Sequence, residues 1–208
     1  MKNEIILIGS GGHALSCIDI IEQNDDYKII GLLDKKEHLH TKHLGYYVIG
    51  DDKKLEDLQL SCKSAFICIG HIESPKLRME IFKKLLRLGY KLPAFISDTA
   101  YVSKHAQVGD GTIVMNGATV GAGVIIGKNC IINSHSLIEH NSTVKDHCHI
   151  STGAIINGDS HIGEGTFIGS GALVLQGIKI GKGCIIGMGV SVRSSLKDNI
   201  RFTGKNYE

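Results

Sequence analysis

Residues 120–162 read VGAGVIIGKNCIINSHSLIEHNSTVKDHCHISTGAIINGDSHI, and every sixth residue of this stretch is Val or Ile. The step extends in both directions without a slip. Val102, Val108, Val114, Val120, Ile126, Ile132, Ile138, Val144, Ile150, Ile156, Ile162, Ile168, Val174, Ile180, Ile186 and Val192 all fall on it. Four residues after each comes a second slot, occupied by Ala106, Thr112, Ala118, Val124, Cys130, Ser136, Ser142, Cys148, Ala154, Ser160, Thr166, Ala172, Ile178, Cys184 and Val190, small in every case but Ile178. Glycine often follows the aliphatic residue, as in Val108-Gly109, Ile126-Gly127 and Ile168-Gly169.

A period of six fits neither a 3.6-residue helix nor an alternating strand. It fits a solenoid in which each hexapeptide is one short strand plus a bend, the β-branched residue pointing inward. Three hexapeptides close a triangular coil. At a strand spacing of about 4.8 Å, roughly five coils give a prism about 25 Å tall. The expected fold is therefore a parallel β-helix over residues 96–195, preceded by an α/β unit over residues 1–95 and followed by a tail over residues 196–208.

Composition narrows the setting. A formal charge of +2 gives no electrostatic case for nucleic acid or a membrane surface. No run of 18 apolar residues exists, so no membrane span is expected. Glu4 interrupts the N-terminus and Ile5–Ile8 is too short for a signal peptide. The six cysteines form no Cys-x-x-Cys pair, and Cys130, Cys148 and Cys184 occupy the small inward slot. Reduced core packing in a cytoplasmic protein is the expectation.

The N-terminal unit reads as strand Glu4–Ile8, a glycine loop, a helix, strand Lys28–Leu33, strand Ser64–Ile69 and helix Pro75–Leu88, with Leu77, Ile81, Leu85 and Leu88 on one face. This is a Rossmann-like half-unit with about three parallel strands. Gly9-Ser-Gly11-Gly12-His13-Ala14 matches a loose dinucleotide fingerprint, and Asp34 ends the next strand. Glycines at a helix start let backbone N–H groups approach phosphates. Three readings stay open: a tight turn without ligand, a full dinucleotide site, and a mononucleotide with a diphosphate. Three strands are half of what a dinucleotide spans, and His13 suits a diphosphate, which favours the last.

One coil departs from the bland turns. Ile132-Asn-Ser-His135-Ser-Leu-Ile138-Glu-His140-Asn-Ser-Thr-Val144-Lys-Asp-His147-Cys-His149 holds four histidines. A metal site is one reading, although the spacing lacks that of common zinc sites; solvated turn histidines are another. The third is a general base, because imidazole can accept a proton near neutral pH. Gly158 lies 18 residues after His140, at the same corner one coil on. With no side chain, its N–H could donate to an oxyanion.

The repeat resembles that of the left-handed hexapeptide acyltransferases, which are typically trimers using acetyl-CoA. With the Gly-x-Gly-Gly-His block, the resemblance extends over residues 4 to 195. It points to the NeuD/PglD-like subfamily, which acetylates nucleotide-activated amino-sugars or sialic acids. The resemblance implies that Ser10, Gly11, Gly12 and His13 hold the diphosphate and sugar, and that Asp34, Lys35, Ile69 and Gly70 line the base and ribose pocket. Asn133-x-x-x-x-Ile-Glu-His140 matches the family block, making His140 the base and Asn133 a residue that places the acceptor. His149 falls on the segment lining the acetyl-CoA groove. The turns Gly169-Ser170-Gly171 and Gly187-Met-Gly189 would let pantetheine lie close to backbone, plain turn glycines being the other reading; Lys182 and Arg193 read first as solvated turn residues, with the CoA phosphates as the alternative. The family uses a glycine amide at the position of Gly158.

Two departures stand out. Relatives often place an acid directly after the base, where this chain has Asn141; Glu139, Asn141 or a group from another subunit would then orient the imidazole. The ending is Phe202-Thr-Gly-Lys205 where relatives have a Gly-x-Pro-Ala-like one. The expected activity is acetyl-CoA-dependent N-acetylation of the 4-amino group of a UDP-linked 4-amino-4,6-dideoxy sugar in a homotrimer, with no metal. O-acetylation of a sialic-acid-like sugar is the alternative within enzymes. A non-catalytic partner of a sugar-biosynthesis enzyme is the alternative outside them.

Overall fold

The computed structural model describes residues 2–204, so Lys205 of the departing tail lies outside the described residues. Two compact units divide the chain: residues 1–70 with 77–95, and residues 71–76 with 96–208.

The first unit is a five-stranded sheet flanked by helices. Its elements are β1 (Asn3–Ile8), α1 (Gly12–Glu22), β2 (Tyr27–Leu33), β3 (Lys42–His43), β4 (Tyr46–Gly50), α2 (Leu55–Gln59), β5 (Ser64–Ile67) and α3 (Lys76–Arg87). The strand order is β3-β4-β2-β1-β5. β1, β2, β4 and β5 run parallel, and β3 joins antiparallel to β4 as a short hairpin edge. The three-strand reading is thus corrected to five. Tyr46–Gly50 is short and carries one buried aliphatic residue, Val48, so its pattern is faint. Helix α3 is corrected too. Its buried face is Arg78, Phe82 and Leu85, while Leu77 is 54% exposed.

The second unit is a left-handed parallel β-helix. Residue i pairs with residue i+18 as far as Val192, as in Thr119↔Leu137, Ile125↔Thr143 and Ile131↔His149, and the final pairing, Ile185↔Arg201, closes at i+16. The first face stacks six strands from Tyr101–Val102 to Ser191–Val192, and the second stacks five from Gln107–Val108 to Lys179–Ile180. The third stacks seven, from Phe95–Ile96 to Arg201–Phe202. The last strand was not foreseen: after Leu196 the hexapeptide pattern is lost, yet Arg201–Phe202 still pairs with Ile185–Ile186. The inward aliphatic column is buried from Val114 to Val192.

The small slot does more than leave room. Along the edge between the second and third faces, its residues donate to the carbonyl 15 residues on. Thr112 Oγ1 reaches Gly127 O at 2.8 Å, Cys130 Sγ reaches Lys145 O at 3.2 Å, and Cys148 Sγ reaches Gly163 O at 3.1 Å. Ser142 and Ser160 do the same on the neighbouring edge, both at 3.0 Å. A buried carbonyl left without a donor costs about 1–3 kcal/mol, so a small donor is preferred over plain Ala at these corners. All six cysteines are free and buried.

The glycines after the aliphatic residue serve the stacking. A Cβ on Gly163 would lie 2.5 Å from the backbone of Gly181 and Lys182, atoms that cannot swing aside. Gly163→Ala is therefore expected to destabilise the solenoid by about 1–3 kcal/mol, read as a lower midpoint in denaturant unfolding. An unchanged midpoint would show that the coils can part without cost.

Candidate functional site

The glycine loop closes the carboxyl end of β1. Gly9 has φ +99°, and a side chain there would run into Ile69, so only glycine makes this turn. Its N–H donates to Leu33 O at 2.8 Å. Gly11 caps α1 with no side-chain hydrogen bond, and the first turn of the helix holds no acid. Gly11 and Gly12 are exposed, with nothing within 4 Å of where a Cβ would stand. Bare N–H groups at an unobstructed helix start suit an anion. His13 sits in that first turn; its Nε2 is buried and no described residue partners it. A Cβ on Gly70 would lie 3.8 Å from the Cβ of His13.

Asp34 holds the loop in place. Its Oδ2 accepts from Ser10 N at 2.6 Å and Ser10 Oγ at 2.5 Å, and its Oδ1 accepts from Lys35 N at 2.7 Å. Burial alone would raise its pKa, but the hydrogen bonds from Ser10 and Lys35 outweigh it and hold the carboxyl below the usual carboxylate range. A depressed carboxylate stabilises the fold above its unfolded pKa, and that contribution is lost as pH falls through the folded value. Asp34→Ala strands the Ser10 N–H and is expected to cost about 1–3 kcal/mol. The loss should be present in a neutral-pH melt and shrink in acid; an equal deficit at both would refute the charge argument.

Ile8, Gly9, Leu33, Asp34, Lys35 and Ile69 line a cavity of about 230 Å³. Leu55, Leu77 and Ile81 extend its apolar wall, which explains the exposed Leu77. Asp51, Asp52 and Lys84 form its polar rim, with Lys84 Nζ 2.8 Å from Asp52 Oδ2. An apolar slot with a few polar groups is the usual form of a small-molecule site. The structure thus gathers Asp34, Lys35 and Ile69 as the sequence reading expects. It adds the Asp51–Asp52–Lys84 rim, which that reading missed. The signal available was Val48-Ile49-Gly50-Asp51, a second apolar run ending in an acid, like Leu32-Leu33-Asp34.

On the solenoid, the four histidines disperse. His135 is exposed at a turn, its ring laid over Gly117. His147 is buried, with Nδ1 2.9 Å from Asn129 Nδ2. Among the described residues no group of three His, Cys, Asp or Glu side chains is placed to hold a metal.

His140 is exposed on the edge between the first and second faces. Gly158 stands one coil on at the same edge, and Asp159 N donates to His140 O at 3.0 Å. The imidazole lies flat against that glycine: a Cβ on Gly158 would sit 2.5 Å from its Cε1 and 2.6 Å from its Nε2. No described residue accepts from the Gly158 N–H. A proton acceptor and a spare backbone donor are thus side by side. Among the described residues neither Glu139 nor Asn141 hydrogen-bonds the ring. Asn141 occupies the left-handed turn apex at φ 58° and lies with its Oδ1 over Gly123, away from the imidazole.

Asn133 and His149 come together on the third face, Asn133 Nδ2 lying 3.2 Å from His149 Nε2. His149 is 7% exposed, not open to a groove on its own chain, because His71 covers it: Nδ1 is 2.7 Å from His71 O. Sequence reading missed His71, since nothing local marks a loop residue that packs 78 positions away. The expected pantetheine glycines line the edge between the third and first faces. Gly171 and Gly189 are open, with φ 65° and 66° and nothing near a would-be Cβ. Gly169 is instead buried, and a Cβ there would lie 2.6 Å from the backbone of Gly187 and Met188, so its first duty is stacking. Ser170 Oγ bonds Ser151 Oγ at 2.9 Å. Met188, Gly189, Arg193 and Phe202 border a shallow cleft of about 480 Å³, while Lys182 pairs with Asp198 at 3.8 Å. His140 and these glycines therefore occupy different edges of one prism.

A prism of stacked hexapeptides with an imidazole on its edge defines the class. Residues 105–140 and 159–194 match the bacterial transferase hexapeptide model of six repeats, so this is a hexapeptide-repeat transferase. Residues 4–85 match the PglD N-terminal domain. The chain belongs to the NeuD/PglD-like hexapeptide acetyltransferases.

Solved structures agree over nearly the whole length. The acetyltransferase domain of PglB from Neisseria gonorrhoeae is 28% identical, with 95% of each chain covered and a TM-score of 0.87. It has also been solved with acetyl coenzyme A. A histidine-to-asparagine mutant of perosamine N-acetyltransferase from Caulobacter crescentus, in complex with CoA and GDP-perosamine, is 29% identical. That match covers 94% of this chain and 91% of the other, with a TM-score of 0.88. No curated protein matches the chain in sequence. Among the described residues no helix is long and apolar enough to cross a membrane.

Proposed function

We propose that this chain transfers the acetyl group of acetyl-CoA to the 4-amino group of a nucleotide-linked 4-amino-4,6-dideoxy sugar, with UDP as the nucleotide. The observation that carries the reading is His140, exposed and laid where a Gly158 side chain would stand, beside a residue whose N–H meets no acceptor among the described residues. His140 takes a proton from the amine as it attacks the thioester carbonyl. The Gly158 N–H donates to the oxygen that gains charge. The imidazolium then returns the proton to the departing thiolate, so no covalent acyl-enzyme is required. In the N-terminal unit, the Ser10–His13 loop takes the diphosphate and the cavity beside Asp34 and Ile69 takes the nucleoside. The gonococcal acetyltransferase domain, solved with acetyl coenzyme A, and the Caulobacter perosamine N-acetyltransferase, solved with CoA and GDP-perosamine, support the same chemistry.

The base and the pantetheine glycines lie on separate edges of one chain. A homotrimer of cytoplasmic protein, with acetyl-CoA between neighbouring prisms, reunites them. The GDP-linked substrate of the Caulobacter neighbour makes guanosine the specific rival to uridine.

The test is incubation of purified protein with acetyl-CoA and a panel of UDP- and GDP-linked 4-amino sugars. Thiol release and product mass are the readouts. Acetylation of a 4-amino sugar is expected. Transfer only to a hydroxyl would replace the N-acetyl reading with O-acetylation, and no turnover with any acceptor would favour a non-catalytic partner.

A further inference from the structure

His71, Asn133 and His149 form a directed chain of hydrogen bonds whose protons can be placed by elimination. A backbone carbonyl only accepts, so the 2.7 Å contact from His149 Nδ1 to His71 O puts the proton on Nδ1. A neutral ring then has a lone pair on Nε2, and that nitrogen must accept from Asn133 Nδ2 at 3.2 Å. Asn133 is consistent with this orientation at its other end, where Oδ1 accepts from Ser134 N at 2.8 Å. Flipping the amide would oppose two donors at Ser134 and two acceptors at His149. The ring is also clamped on both sides, its centroid 5.5 Å from that of His71 and 5.2 Å from that of Phe167, both edge-on. His71 and His149 are 8% and 7% exposed, so water does not compete for these contacts.

We propose that His71 is a positioning residue for acyl transfer: its carbonyl and ring lock His149 in the Nδ1–H tautomer, and His149 in turn aims the Asn133 amide at the acceptor sugar. The acceptor's part rests on the function proposed above; the tautomer does not. A loop residue from the segment 71–76, which belongs with the solenoid, thereby becomes part of the transfer site. Asn133 is held at one end by Ser134 N and at the other by His149, and the carbonyl of residue 71 fixes the proton on His149 Nδ1.

The test uses the full chain with ¹⁵N-labelled histidine, His149 being assigned by comparison with His149→Gln. Long-range ¹⁵N–¹H spectra separate the two neutral tautomers and the imidazolium. Wild type is expected to show His149 as Nδ1–H alone. Asn133→Asp replaces the donor facing Nε2 with an acceptor, and should drive His149 to imidazolium at neutral pH. His71→Gly removes the ring and loosens the carbonyl, and should give a mixed tautomer. It should also raise KM for the acceptor by about 10-fold or more, misplacement by 1 Å being worth up to about 100-fold. KM for acetyl-CoA should stay within about twofold. His71→Ala, which keeps the backbone restraint, covers the case in which the glycine variant melts too low, and should show the smaller shift of the same kind. An Nε2–H His149 in wild type overturns the proposal. So does a His71→Gly protein with unchanged tautomer and acceptor KM. The spectrum is taken without substrate, so its failure is read separately from any failure to turn over amino sugars.

Discussion

His140→Ala is expected to lower kcat by about 10²–10⁴-fold, the range a positioned general base supplies. The ring is exposed and makes no hydrogen bond to any described residue, so its removal costs the fold little. The melting temperature and the oligomer mass should match wild type. KM for either substrate should change far less than kcat, because the imidazole acts on the proton that moves in the transition state and contributes little to ground-state binding. Stopped-flow thiol release against a fixed amino-sugar acceptor gives the comparison. A variant retaining more than about a tenth of wild-type kcat would move the base elsewhere.

Gly158→Ala should be nearly as damaging by a different route. The added Cβ would stand 2.5–2.6 Å from Cε1 and Nε2 of His140, closer than any real contact. The obstructing atoms are the far end of a side chain that can rotate, so the imidazole swings off and the coil keeps its backbone. The base is then displaced by more than an ångström, for which a loss on the order of 100-fold in kcat is expected. The methyl group also crowds the spare N–H, and removal of one such donor costs about 10²–10³-fold elsewhere. Stability should fall much less than for Gly163→Ala, where the clash is with backbone. Paired measurement of kcat and unfolding midpoint for the two alanine variants checks this directly: one should lose catalysis and the other stability. If Gly158→Ala turned over normally, neither the ring's resting place nor the amide would belong to the mechanism.

Much of this was legible beforehand because a solenoid is nearly one-dimensional. Each coil contacts only its neighbours, so a residue's height and edge follow from its number modulo 18. That arithmetic alone places Gly158 over His140. It also puts Cys130, Cys148 and Cys184 in the small slot, although the reason Cys and Thr serve there, donation to the next coil's carbonyl, appears only with the atoms. The α/β unit was less legible. β4 is a strand of five residues with a single buried aliphatic side chain, Val48, and the hairpin that carries it breaks the expected strand–helix–strand rhythm. The inward face of α3 is legible only in part: Leu85 is buried and Ile81 and Leu88 pack against the core, but Leu77 borders an open cavity and Arg78 is buried by donating to Ile67 O and Ile69 O.

The sequence by itself determined the period, the coil, the edge on which the candidate base stands and the glycine turn that opens the N-terminal helix. Each of these depends on neighbours at fixed spacing along the chain. Only the tertiary structure decided that His149 is covered by His71, that Asp34 clamps the glycine loop, and that Asp51, Asp52 and Lys84 rim the cavity. These are meetings of residues from loops and strand ends far apart in number, set by which surfaces exclude water together, and no local pattern encodes them.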